Sequence, residues 1–200
     1  MSEDYLTLLD WRRQVADLYS GVRATLRTDA PAGHALWRST RDQLFRTHPQ
    51  SPLPVDERAT FRGLPYFPYD PRFATRARVR PLPEERYDVP SSGDGVIPFV
   101  RIGAVDLAWG SLDVFWLDAY SGGVFLPFRD ATAGKTTYGA GRYLLDTAKS
   151  ADLGAAGDEL VLDFNFAYHP SCRYDPKWVC PLAPPGNRLA VSIEAGERMS

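Results

Sequence analysis

Residues 96–128 read VIPFVRIGAVDLAWGSLDVFWLDAYSGGVFLPF, and this stretch decides the fold class. Its apolar runs, at residues 96–102, 105–109, 112–117 and 124–128, are too short for helices. The Gly-containing breaks between them are of the length that joins antiparallel strands. Gly103 and Ala104 form the break that reads most clearly as a hairpin. Just upstream, Phe73, Thr75, Ala77 and Val79 alternate with Ala74, Arg76, Arg78 and Arg80, the period of a half-exposed strand. Downstream, residues 159–168 and 188–194 read as two further strands, the first with Leu160, Leu162, Phe164, Phe166 and Tyr168 on one face. Many short strands in series predict an antiparallel β-barrel or β-sandwich.

Before residue 61 the period changes. Tyr5, Leu8, Leu9, Val15, Leu18, Tyr19 and Val22 fall at the three-and-four spacing of an amphipathic helix over residues 4–27, with Asp4 as N-cap. A second helical pattern through Leu36, Trp37, Leu44 and Phe45 ends at His48, because Pro49 bars the residue before it from helical backbone. Residues 54–59 offer one more helical turn. His34 and His48 read as surface or helix-end residues. The expected architecture is α+β and mainly β, one domain over residues 1–200, with a helical arm (1–60) and a β core (61–200) containing a Pro-rich connector (169–187).

With 200 residues the chain is long enough to bury a core without disulfides or a metal. Hydrophobic residues make up 44%, charged residues 24%, and the formal net charge is -2, so no global field advertises nucleic acid or acidic membrane as a partner. Arg72, Arg76, Arg78 and Arg80 read as a solvated face rather than a nucleic-acid surface. No secretory signal pattern opens the chain, and no apolar run approaches the ~20 residues that cross a bilayer. The expected location is the cytoplasm, where Cys172 and Cys180 read as free thiols.

The chemistry concentrates between Arg129 and Asn187. Residues 127–143, PFRDATAGKTTYGAGRY, crowd Arg129, Asp130, Tyr138 and Arg142 around Gly134, Gly139 and Gly141. Glycines permit close backbone approach, and planar guanidinium groups suit bidentate contact with oxyanions. The segment lacks the spacing of a P-loop or a dinucleotide fingerprint. On the strand at 159–168, Asp163 and Asn165 lie two apart and so share one face, where Asp163 can act as a general base or ligand anchor or be half of an ion pair with Arg129 or Arg142. His169, Cys172 and Cys180 are spaced poorly for zinc, so no metal is expected. Pro170, Pro176, Pro181, Pro184 and Pro185 stiffen the connector, which is expected to lie across the sheet and close one end.

Three segments in order, FRDATAGKTTYGAGRY (128–143), LDFNFAYHPSC (162–172) and CPLAPPGNRLAVSIEAGE (180–197), resemble the signature of a bacterial and archaeal family, the domain of unknown function 1684. The resemblance implies a prokaryotic protein and brings no activity, cofactor or catalytic residue with it. It supports Arg129, Asp130, Gly134, Tyr138, Gly141, Arg142, Asp163, Asn165, Tyr168, Cys172, Cys180 and Asn187 as a group. Members often carry asparagine at the position of His169, which speaks further against a metal.

The leading functional expectation is a small-molecule pocket, possible as an enzyme site, in which Arg129 and Arg142 hold an anionic ligand. Asp130, Tyr138, Asp163 and Asn165 complete it, with Asp163 and Tyr138 as candidate catalytic groups and no cofactor. The alternative is a non-catalytic structural or protein-interaction module whose Arg/Asp network fixes the connector. A third reading, from strand count and aromatic content, is a flavin-binding split barrel.

Overall fold

The computed structural model describes residues 2–199, and it opens on the expected helical arm. Helix α1 spans Ser2–Thr25 and α2 spans Ala30–Thr47. Asp29 caps α2, its side chain accepting from the Ala32 amide at 2.9 Å, and His48 leaves the helix in extended backbone ahead of Pro49. Asp4 is not the cap of α1 but lies inside its first turn. One further turn, α3, covers Val55–Arg58.

Eight strands follow: β1 (Ala74–Arg78), β2 (Arg80–Pro90), β3 (Val96–Leu107), β4 (Gly110–Leu117), β5 (Val124–Phe128), β6 (Arg142–Asp146), β7 (Ala155–Ala156) and β8 (Glu159–Asp163). They form two antiparallel sheets, a five-stranded meander in the order β2-β3-β4-β5-β6 and a three-stranded sheet in the order β1-β8-β7. The mainly β, antiparallel expectation holds, but the described strands do not close into a barrel.

Several boundaries differ from the sequence reading, each for a local reason. The expected hairpin at Gly103 and Ala104 is absent. Strand β3 runs through it with a bulge between Arg101 and Gly103, and the turn falls at Leu107 and Gly110. Gly103 is instead a point of close approach, where a Cβ would lie 2.5 Å from the Arg80 carbonyl oxygen. The strand expected at 159–168 stops at Asp163 and gives way to a 3-10 turn over Phe164–Phe166. The strand expected at 188–194 does not form. There the chain keeps one bridge, Arg129 to Arg188.

Three apolar clusters hold these parts. The first joins the sheets, with Val105, Leu112, Val114, Leu126 and Phe128 against Leu162, Phe164 and Ile193. The second seats the arm, packing Val22, Trp37 and Phe45 on Ala151, Leu153 and Phe166. The third gathers Phe99, Phe115, Phe125 and Tyr143. Val114 and Phe115, like Leu126 and Phe125, are sequence neighbours in different clusters. The central strands thus carry apolar packing on both faces. The connector is tied to the end of β2 by a bridge from Ser91 to Pro181, and to β6 by a hydrogen bond from the Tyr143 hydroxyl to the Pro181 carbonyl.

His34 and His48 are buried rather than superficial. His34 stacks on Trp37 and its Nε2 meets the Asn165 carbonyl oxygen at 3.0 Å, while burial lowers its pKa to about 4.

Candidate functional site

The Arg- and Gly-rich turn folds on its own backbone. Gly134 N donates to the Thr137 carbonyl, Lys135 N to that of Thr132, and the Asp130 carboxylate accepts from the Thr132 hydroxyl and the Ile193 amide. Arg142 is wholly buried. Its Nη2 donates to the Ile193 carbonyl at 2.9 Å, its Nη1 to the carbonyls of Ala195 and Glu197, and its guanidinium lies over the Phe128 ring at 5.1 Å. Burial lowers the Arg142 pKa to about 10, which leaves it charged at neutral pH. Arg129 reaches the connector, donating from Nη2 to the Ala183 carbonyl at 2.6 Å. Both arginines thus stitch the turn to residues 183–197 by satisfying backbone carbonyls.

Asp163 and Asn165 form a separate unit. The Asp163 carboxylate accepts from the Asn165 amide and from Asn165 Nδ2 at 2.7 Å. Asn165 spends its remaining capacity on Asp70, accepting from its amide and donating to its carbonyl. The expected shared strand face is absent, because β8 ends at Asp163 and this aspartate side chain caps the 3-10 turn that follows. Burial raises the Asp163 pKa to about 6, with hydrogen bonds from Asn165 and Tyr69 opposing it. Arg142 pairs with Asp130 and not with Asp163. Tyr138 joins neither group. Its amide donates to His169 Nε2 at 3.1 Å, and its hydroxyl contacts Cys172. Among the described residues, no group of three or more His, Cys, Asp and Glu side chains is placed to hold a metal.

A wider, open hollow of about 550 Å³ lies over Tyr69, Asp70 and Arg72 beside the Asp163–Asn165 unit, and a more enclosed cleft of about 170 Å³ lies between the arm and the β core. Its walls are aromatic, with Trp11, Tyr19 and Phe45 from the arm facing Tyr143, Tyr168 and Trp178 from the core. Arg41 projects into it from α2. The guanidinium carbon sits 4.8 Å from the Trp37 ring centre, 5.3 Å from Phe45 and 5.0 Å from Tyr168. Arg41 Nε donates to the Tyr66 hydroxyl and Nη2 to Glu197 Oε2 at 2.8 Å. Burial works against this charge, but Tyr66 and Glu197 more than offset it and its pKa is raised. Burial also works against the Glu197 carboxylate, yet His169 and Arg41 bring its pKa below the usual value.

Arg12 and Lys149 add two more cations to the lining, which contains no carboxylate. Trp178 Nε1 is buried with no hydrogen-bond partner among the described residues. His169, also in the lining, cannot serve a nucleophile through Nε2, since that nitrogen accepts from the Tyr138 amide. The sequence reading missed this cleft. Its available signal was Arg41, set four residues from both Trp37 and Phe45 on one helical face, where a charge needs a reason to be.

A family model described as "Protein of unknown function (DUF1684)" matches residues 59–198. The chain belongs to this family. It is also similar to a solution NMR structure, the uncharacterized protein from gene locus rrnAC0354 of Haloarcula marismortui. That likeness has 36% sequence identity and a TM-score of 0.55, and covers 81% of this chain and 90% of the other. No curated protein matches. The DUF1684 match takes in both sheets and the connector and begins after α3. The cleft therefore has one wall inside the matched region and one, from α1 and α2, outside it. No helix among the described residues is long and apolar enough to cross a membrane.

Proposed function

We propose that this protein binds a small carboxylate with a one-ring aromatic or short apolar body in the cleft between its helical arm and its β core. The observation that carries the reading is the lining itself, which sets Arg12, Arg41 and Lys149 among aromatic rings and presents no carboxylate to the cavity, the partners of Arg41 and Lys149, Glu197 and Asp146, lying outside the lining. Rings receive an apolar body by burial and edge contacts, and the cations select a negative charge over a neutral isostere. A cavity of ~150 Å³ suffices for a benzene-sized guest, so the available volume limits the ligand to about one ring. Trp178 Nε1 supplies a donor for a carboxylate or ring oxygen. In this reading Arg129, Asp130, Arg142, Asp163 and Asn165 are framework, since their hydrogen bonds go to the chain itself.

Benzoate and phenylacetate are the probes, with benzyl alcohol as the neutral control. Titration calorimetry and thermal shift should give binding and a raised melting temperature for the two acids. Lys149 is 56% exposed and its one ion pair, to Asp146, is 3.7 Å long, so Lys149→Ala should weaken benzoate by about tenfold without loss of fold. Equal binding of benzyl alcohol, or no binding of either acid at millimolar concentration, would overturn the proposal.

A further inference from the structure

Beside the cleft, but outside its lining, lies a second cluster built on the connector. Cys172 sits in a 3-10 turn over Ser171–Arg173, and its amide donates to Cys180 Sγ at 3.4 Å. The Cys180 sulfur, Ser92 Oγ and the Tyr138 hydroxyl surround the Cys172 sulfur. Ser92 also fixes Cys180, accepting from its amide at 2.8 Å. Cys172 is half-buried and Cys180 is buried. With the Cys180 sulfur within hydrogen-bond reach of the Cys172 amide, a local shift of the Cys172 turn brings the two sulfurs to the ~2.05 Å disulfide bond. The 3-10 turn is the element that can give, because Pro181 holds the Cys180 end to Ser91 and Tyr143.

We propose that Cys172 and Cys180 form a redox-active dithiol, with Cys172 as the attacking sulfur, Cys180 as the resolving one, and a hydroperoxide as the oxidant. The asymmetry comes from their surroundings. Cys172 receives hydrogen bonds, from Cys180 first and then Ser92 and Tyr138, which outweigh its burial and bring its pKa down to about 6. The same pairing pushes the Cys180 thiol up. With hydrogen peroxide, the Cys172 thiolate attacks one peroxide oxygen and the O–O bond breaks. Cys172 becomes a sulfenic acid, and the departing hydroxide takes up the proton that the Cys172 thiol released on ionising, to leave as water. The Cys180 sulfur then attacks the Cys172 sulfur, the S–O bond breaks, and the hydroxyl leaves as water with the Cys180 proton. Two thiols lose two electrons and two protons, and the peroxide takes them up to give two waters.

The test needs no cleft ligand, so its outcome is independent of the carboxylate reading. The reduced full-length chain is treated with hydrogen peroxide, free thiols are titrated, and the bridge is mapped by mass spectrometry. The wild type should lose both thiols together within one chain. Cys180→Ser should accumulate a sulfenic acid at Cys172 that dimedone traps, and Cys172→Ser should be oxidised at least about tenfold more slowly. Tyr138→Phe should move the pH profile of Cys172 alkylation by iodoacetamide upward, a readout that a purely structural tyrosine would leave in place. Faster modification of Cys180 than of Cys172 would sink the proposal. So would bridges formed only between chains, or two thiols that survive peroxide in a folded protein.

Discussion

Arg142 Nη2 lies 3.5 Å from Asp130 Oδ2, and each side chain is only 1% exposed. A buried charge whose partner is removed is left uncompensated, at a cost of about 3–5 kcal/mol. Arg142→Ala and Asp130→Ala should each lower stability by that order in urea denaturation. Arg142→Ala should cost more, since it also frees the carbonyls of Ile193, Ala195 and Glu197. At temperatures where Arg142→Ala remains folded, its affinity for benzoate should equal that of the wild type.

Asp163 carries a pH signature. Its pKa rises from 3.8 in the reference state to about 6 in the fold, so between these values the folded chain holds a proton that the unfolded chain has released. Its contribution to stability is full below pH 3.8 and lost as pH rises through about 6. Asp163→Asn removes this titration. The variant should gain on the wild type by on the order of 2–3 kcal/mol from pH 4 to pH 7, and then run parallel to it, in denaturant titrations at a series of pH values.

Two glycines of one turn should respond differently to a methyl group. Gly134 has φ +78 and open space where a Cβ would go, so Gly134→Ala should cost only the strain of left-handed backbone, about 1 kcal/mol. Gly141 has φ +101, and its Cβ would lie 2.5 Å from the Phe128 carbonyl oxygen, so Gly141→Ala should cost at least about 3 kcal/mol. Melting temperatures of the two variants, measured side by side, check the ranking.

Asn187 acts as a piece of backbone. Its Oδ1 accepts from the Asp113 amide at 2.7 Å, and its Nδ2 donates to the carbonyls of Asp113 and Pro127 at 3.1 and 2.6 Å. Asn187→Asp faces two carbonyls with an acceptor and should cost more than Asn187→Ala, roughly 3 against 2 kcal/mol by chemical denaturation.

Local periodicity made the arm legible, and Pro49 marked its end, because helix formation and proline geometry depend on neighbours in sequence. Strand β2 escaped the same reading. Its sequence, RPLPEERYDVP, carries three prolines, which an edge strand tolerates because amides on its outer side need no partner. The pairing of Asp163 with Asn165 was visible, but its meaning was not. A separation of two residues serves a strand face and an aspartate-capped turn equally well, and tertiary burial of Phe164 and Phe166 chose the turn. Of the residues singled out beforehand, Arg129 and Arg142 are brought to the connector and the chain beyond it, Tyr138 to Cys172, and only Asn165 to Asp163. The cleft was illegible because it joins Trp11 and Phe45 to Tyr168 and Trp178, side chains far apart in the chain that no local pattern relates.

The cleft at the seam between arm and core bears on mechanics as well as binding. Hydrostatic pressure favours whichever state occupies less volume, and voids eliminated on opening are a main source of that difference. The sheets are joined by close-packed apolar side chains, whereas the arm meets the core across a cleft of about 170 Å³. Compression should therefore lift α1 and α2 from the β core before it disturbs the strands, and a guest that fills the cleft should make the seam harder to prise apart.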